Sequence, residues 1–322
     1  MKKDLFISMV VFLMVMIGYS CSSSKKTQAD MSPEEMEAKL QTIVPDTFVL
    51  PDIPEEITNA DDRAKYLVAH YWDRFDFANK TLIQKPHITE QAFVDYINIL
   101  TYVPSKNAEE SLVYTLQRAE TDSAMYVHFA SLFEKYFYEP NSPFHNESFY
   151  LPVLREMAKS DMLPAEAKSR YEFQLEMVSK NNVGQMANDF TYTLASGQSS
   201  NLYSIKSEYV LLMFSNPECN MCMSVTNQLN QSVPIQGALS RNTPARTMLT
   251  IMTLYPDNDV EGWRAHLSNL PQNWLHAYDK GMEITYKRLY DLKAIPSLYL
   301  LDKNKKVILK DTSVGAIEAF FS

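Results

Sequence analysis

Apolar residues follow two different periods along the chain, and the change between them falls near Gly184. Before it, apolar side chains recur every three or four positions, the spacing that gathers them on one face of a helix. Ala64, Leu67, Val68, Tyr71 and Phe75 keep this period after Asp61 and Asp62, and Phe93, Tyr96, Ile97 and Leu100 keep it after Thr89. Leu112, Val113, Leu116 and Ala119 repeat it, with Asn107 as the expected cap and Glu110 as its partner three residues on. Met125, Phe129, Leu132, Phe133 and Tyr136 form the most aromatic face; Val153, Leu154 and Met157, then Tyr171, Leu175 and Val178, complete the series. Further upstream, Ser32-Pro33-Glu34-Glu35 has the form of a helix start, and Pro45, Pro51 and Pro54 mark an extended connection. The pattern predicts an all-α unit of roughly six helices.

Aromatic stripes at helical spacing predict core packing rather than a ligand groove. One segment, Tyr136 to Glu147, stands apart. Pro140 and Pro143 among aromatics predict a loop there, either a rigid interhelix turn or a fixed contact loop. His70, His87, His128 and His145 show no metal-ligand spacing and read as structural or solvated.

After Gly184 strands alternate with helices. Glu208 to Phe214 is a continuous apolar run, as a strand buried on both faces requires. A helix from about Cys219 to Gln231, a second strand from Arg246 to Leu254 and a helix from Val260 to Leu267 follow. Leu298–Leu301 and Val307–Leu309 flank the turn Asp302-Lys303-Asn304-Lys305 as a hairpin, and Val314 to Phe320 forms a last helix.

The chain has 322 residues, 46% hydrophobic and 21% charged, enough for two globular domains and unlike a disordered chain. A net charge of -9 argues against nucleic acid as a partner, which calls for a basic surplus. There are three cysteines, at positions 21, 219 and 222, too few for a disulfide scaffold. Lys2 and Lys3 precede an apolar stretch from Phe6 to Ile17, too short to span a bilayer, and Ile17-Gly18-Tyr19-Ser20-Cys21 ends it. That segment resembles the lipobox of bacterial lipoproteins, which implies a lipidated Cys21 at the mature N-terminus and the lipid bilayer as a partner. Tyr19 is bulkier than the lipobox usually has. Ser22 to Ala29 reads as a tether, and the absence of an acidic residue at Ser22 favours the outer membrane, facing the periplasm. The expected divisions are a signal peptide over 1–21, a tether over 22–30, a helical domain over 31–182 and an α/β domain over 183–322.

The chemistry concentrates at Ser215-Asn216-Pro217-Glu218-Cys219-Asn220-Met221-Cys222, directly after the buried strand. A cysteine at a helix N-terminus faces unpaired N–H groups and the positive end of the helix dipole, which favour a thiolate. Cys222 lies one turn on, within reach of a mixed disulfide. Cys219 is the expected attacking thiol and Cys222 the resolving one. Glu218 is expected to modulate the pair, since a neighbouring carboxylate opposes thiolate formation and points to a reductant or weak oxidant.

Ala294-Ile295-Pro296-Ser297, at the start of a later strand, resembles the cis-proline segment of thioredoxin-like proteins. The resemblance assigns Ile295 and Pro296 to substrate binding, Ile295 presenting its backbone to the client chain. Val183 to Phe190 also looks like the opening segment of TlpA-like and ResA-like proteins, membrane-tethered members of the thioredoxin superfamily. The resemblance implies an α/β thioredoxin-like fold over residues 183–322 and an envelope thiol–disulfide oxidoreductase that needs no cofactor. Its partners would be protein thiols and disulfides of the envelope and a membrane-borne electron donor. Departures are Glu218 in place of the usual tryptophan, the dipeptide Asn220-Met221, and Ser297 where threonine is common. The preceding stretch, with Tyr71-Trp72-Asp73-Arg74-Phe75-Asp76 and the Pro140–Pro143 loop, resembles a helical domain of unknown function found in lipoproteins of Gram-negative anaerobes. A role in selecting clients is the expectation for it.

Other classes compete. Structural zinc lacks a second ligand pair, and a peroxiredoxin would carry threonine where Asn216 stands. Cys219, Met221, Cys222 and Met223 are soft donors within five residues, which keeps a Cu(I) chaperone in view. A binding or scaffold lipoprotein with unused cysteines is the remaining alternative.

Overall fold

The computed structural model describes residues 47–322. The signal segment, Cys21 and the helix start at Ser32–Glu35 lie outside the described residues. Six α-helices come first: α1 (Ala60–His70), α2 (Thr89–Ile99), α3 (Ser105–Ala119), α4 (Ser123–Phe133), α5 (Glu147–Lys159) and α6 (Ala165–Val178). Caps explain several of the starts. Asn59 accepts the N–H groups of Asp61 and Asp62 at α1, and Asp122 accepts those of Ala124 and Met125 at α4.

Asn107 is not a cap. α3 begins at Ser105, directly after Pro104, which has no N–H to leave unpaired, so Asn107 and Glu110 lie inside the helix. The expected loop at Tyr136 also starts later. α4 runs on into a π-helical turn, Glu134–Tyr138, closed by the Glu139 N–H on Glu134 O (3.2 Å), and only then does Pro140 break it.

The aromatic stripes are core. Trp72 is packed by the rings of Phe48, Tyr71, Phe75, Phe77, Tyr96 and Phe129, with centroids 5.2 to 6.0 Å away. The Tyr-Trp-x-x-Phe motif is therefore a packing feature. Tyr96, fully buried, keeps its hydroxyl paired with Ser111 (2.7 Å), and Thr115 donates to it (3.2 Å).

The second half is a seven-stranded sheet of order β2-β1-β5-β4-β3-β6-β7. The strands are β1 (Thr191–Leu194), β2 (Ser199–Asn201), β3 (Tyr209–Phe214), β4 (Leu249–Tyr255), β5 (Leu275–Tyr278), β6 (Ser297–Asp302) and β7 (Val307–Leu309). The central β3 runs parallel to β4 and antiparallel to β6. Its alternation explains the continuous apolar run. Val210, Leu212 and Phe214 enter one core with Phe190, Tyr290 and Tyr299, while Leu211 and Met213 enter another with Cys222, Leu229 and Ile317. Helices α7 (Asn220–Gln231), α8 (Val233–Leu239) and α11 (Val314–Phe321) cover that second face; α9 (Val260–His266) and the short α10 (Glu283–Tyr286) lie between later strands. The β1–β2 hairpin and β5 were not among the expected elements. β1 turns at Gly197, whose φ of +86° suits glycine, and pairs antiparallel with both β2 and β5.

The two halves bury separate apolar cores yet belong to one compact body spanning Thr47–Ser322. Their junction is polar. Lys310 donates to Val178 O (2.9 Å) and Lys180 O (2.7 Å) at the end of α6, and Asn181 donates to Leu289 O (2.8 Å). Among the described residues no helix is long and apolar enough to cross a membrane.

Candidate functional site

Strand register builds the site. Because β3 and β6 are antiparallel, the last residue of β3, Phe214, pairs with the first of β6, Ser297. The segment leaving β3 therefore meets the segment entering β6, and these carry Cys219 and Pro296. Ser215 N–H on Leu254 O (3.0 Å) ties the turn to β4. Asn216 accepts the Glu218 N–H through Oδ1 (2.9 Å) and the Cys219 N–H through its carbonyl (3.1 Å).

Cys219 is the N-cap of α7, and its Sγ accepts the Cys222 N–H at 3.1 Å. A helix-end amide thus already points at the sulfur, in the position to hold a thiolate once formed. On its other side Sγ lies 3.6 Å from the Ile295 carbonyl oxygen. The Ile295–Pro296 peptide bond is cis. Cys219, Ile295 and Pro296, far apart in sequence, thus form one half-buried surface.

Cys222 sits deeper than Cys219. It is 1% exposed and packed into the core beneath α7. Burial first, and the neighbouring Cys219 second, push its thiol up to about 12, which the Asn216 N–H and the Ser215 hydroxyl offset only in part. Glu218 stands in solvent beside Cys219. Of the two methionines, Met221 is exposed and Met223 half-buried.

Behind the cis-proline segment lies a cluster of charged groups that no sequence spacing announced. Lys293 pairs with Glu147, the first residue of α5, and lies 3.6 Å from Asp291 and 3.8 Å from Asp311. Lys310 holds the other Glu147 oxygen at 2.7 Å. Burial pushes the Glu147 carboxyl up, but the two ammonium groups outweigh it and hold the group below the usual carboxylate range. Burial raises Asp291, against the pull of Lys293. His145, read from the sequence as structural or solvated, faces Asp311 (3.6 Å). His145, Glu147 and Asp311 come close enough to share a metal ion, but Lys293 and Lys310 already occupy the cation positions against these carboxylates. The one legible signal for this cluster was the Pro140–Glu147 loop.

A cysteine pair at the head of a helix, faced by a cis-proline at the mouth of the neighbouring antiparallel strand, defines a thioredoxin-like protein. A thioredoxin-like family model matches residues 207–307, and the model described as a domain of unknown function (DUF5106) matches residues 20–181. The chain belongs to the DUF5106 family, carrying a thioredoxin-like domain after the helical one. It is similar over both halves to a thioredoxin-like protein from Bacteroides caccae, with 43% identity, 85% of this chain and 98% of that chain covered, and a TM-score of 0.81. It is also similar to the C-terminal domain of an uncharacterized protein from Bacteroides fragilis, at 40% identity over 44% of this chain and 99% of that one, TM-score 0.42. A conserved protein of unknown function from Bacteroides fragilis aligns at 31% identity over 44% of this chain and 99% of that one, TM-score 0.41. No curated protein matches the chain.

Proposed function

We propose that the protein is an envelope-anchored thiol–disulfide oxidoreductase of the TlpA-like and ResA-like kind, reducing or isomerising disulfides of extracytoplasmic proteins. The observation that carries this reading is the placement of Cys219 Sγ between the Cys222 N–H (3.1 Å) and the Ile295 carbonyl (3.6 Å). An N–H on the sulfur supports a thiolate nucleophile, and the Ile295 backbone beside it gives a client chain something to pair with.

The chemistry is two exchanges. The Cys219 thiolate attacks one sulfur of a client disulfide, forming a mixed disulfide and expelling the other client sulfur as a thiolate. Cys222, on losing its proton, attacks Cys219 Sγ, closing the Cys219–Cys222 disulfide and releasing the second client thiol. Two electrons pass from the pair to the client. A dithiol donor, expected to be membrane-borne, must then reduce the pair again.

The test is insulin reduction by the chain lacking residues 1–21 beside thiol trapping across glutathione ratios. Precipitation of insulin and a dithiol–disulfide equilibrium inside the accessible range are expected. Thiols inert at every ratio would end the oxidoreductase reading in favour of a binding protein. Tight stoichiometric uptake of Cu(I) by the same chain would favour the copper-delivery reading instead.

Anchoring rests on the lipobox-like segment ending at Cys21. Expressed from its full sequence in a Gram-negative host, the chain is expected to take up labelled palmitate and to sediment with the outer membrane. Cys21→Ala should lose both; label retained in that variant would remove the anchor from the proposal.

A further inference from the structure

The Pro140–Glu147 loop, conspicuous in the sequence, takes no part in thiol exchange, yet it ends at the charged cluster behind the cis-proline. That cluster holds both flanks of Ile295–Pro296. On the upstream side, the Lys293 side chain is 7% exposed, is paired with Glu147, and lies 4.5 Å over the Tyr138 ring. On the downstream side, Ser297 Oγ donates to Asp311 Oδ1 (2.9 Å), and Asp311 faces His145 (3.6 Å). Tyr138, His145 and Glu147 all belong to the helical half. Lys310 completes the fixture, joining Glu147 to the carbonyls that end α6.

A buried ion cluster is a poor way to glue two halves together. Desolvating the charges consumes most of the attraction, and apolar contact would serve as well. What it provides is geometry, since several partners converge on each ammonium and together fix its place. We infer that the helical half supports the cis-proline segment, and that Glu147 and Lys293 are positioning residues that fix Ile295 against Cys219 for engagement of a client chain. The functional part of this inference rests on the reading of Cys219 as the attacking thiol.

The experiment uses Glu147→Gln in the chain lacking residues 1–21, with two readouts. Amide hydrogen exchange is followed by mass spectrometry in the peptide covering residues 294–300 and in a control peptide from α7. Exchange in 294–300 should quicken about tenfold, an ordinary size for coupling between sites, while α7 is unchanged. In parallel, reduction of a peptide disulfide should fall about tenfold relative to reduction of hydroxyethyl disulfide, through KM rather than kcat. A purely structural role would slow both disulfides equally, and that result, or unchanged exchange in 294–300, overturns the inference. Should the wild-type chain reduce neither disulfide, the thiol reading fails and hydrogen exchange alone decides the support role. Should Glu147→Gln not fold, Asp311→Asn, at a partly exposed carboxylate, probes the downstream flank by the same two readouts.

Discussion

Cys219→Ser is expected to lower disulfide exchange to the rate of buffer alone, while Cys222→Ser keeps the first attack and accumulates a mixed disulfide on Cys219. The asymmetry follows from where the sulfurs sit. Cys219 caps α7 at a half-buried surface beside the Ile295 carbonyl, whereas Cys222 is 1% exposed in the core. Burial pushes its thiol up and keeps it out of reach of a client, so Cys222 cannot replace the missing nucleophile. It acts once Cys219 is bonded to a client and a proton acceptor is at hand. The check is insulin turbidity for rate and intact-mass spectrometry for the adduct. Half of the wild-type rate surviving in Cys219→Ser would show the roles reversed.

The second large effect concerns stability. Glu147→Leu is expected to destabilise the chain by about 3–5 kcal/mol at pH 7, the usual result of removing one partner from a buried pair. The side chains of Glu147, Lys293 and Lys310 are 10%, 7% and 7% exposed. Leucine would leave two buried ammonium groups sharing Asp291, Asp311 and a few carbonyls. The pH dependence carries a definite sign. The lysines hold Glu147 below its ordinary value, so its contribution is complete above the unfolded carboxylate pKa and fades as pH falls through the lower folded one. The gap between wild type and Glu147→Leu should therefore be full at pH 7 and shrink in acid below the usual glutamate range. Urea unfolding at pH 7 and pH 3 measures it. A gap below 1 kcal/mol at pH 7, or one that grows in acid, would contradict the assignment.

These outcomes bear on the helical half. The expectation that it selects clients treats it as a separate module. The ion cluster ties it to the segment that presents Ile295, so its removal would strand Lys293 and Lys310 without Glu147. A truncation therefore confounds client choice with the integrity of the site, which is why single substitutions in the whole chain are the better probe.

Much of this protein was legible locally. Helical spacing located α1 to α6, because each apolar face must be buried whatever it packs against. The apolar run read over Glu208 to Phe214 identified a strand covered on both sides, and the placement of Cys219 after it put a thiol at a helix head. The aromatic stripes at helical spacing read correctly as core. Caps were less legible, since Pro104 starts α3 without any side-chain bond while Asn107 carries the residue type of a cap. The short β1, β2 and β5 escaped because three or four residues carry little alternation, whereas the equally short β7 was marked by the apolar run of β6 across a tight turn.

What the sequence by itself determined was the inventory: helices first, strands after, and a cysteine pair at the head of a helix, where a backbone N–H points at sulfur. Those features depend on neighbours within a turn or a strand, and local spacing encodes them. What faces the pair was legible only through the resemblance of the Ile295–Pro296 segment, and the tertiary structure supplies the physical reason. The antiparallel register of β3 and β6 brings Ile295 to Cys219 across 76 positions, and the junction of the halves brings Glu147 to Lys293 across 146. Such charges attract one another in the fold because burial strips away the water that would otherwise satisfy them separately, and no periodicity along the chain records which two will meet.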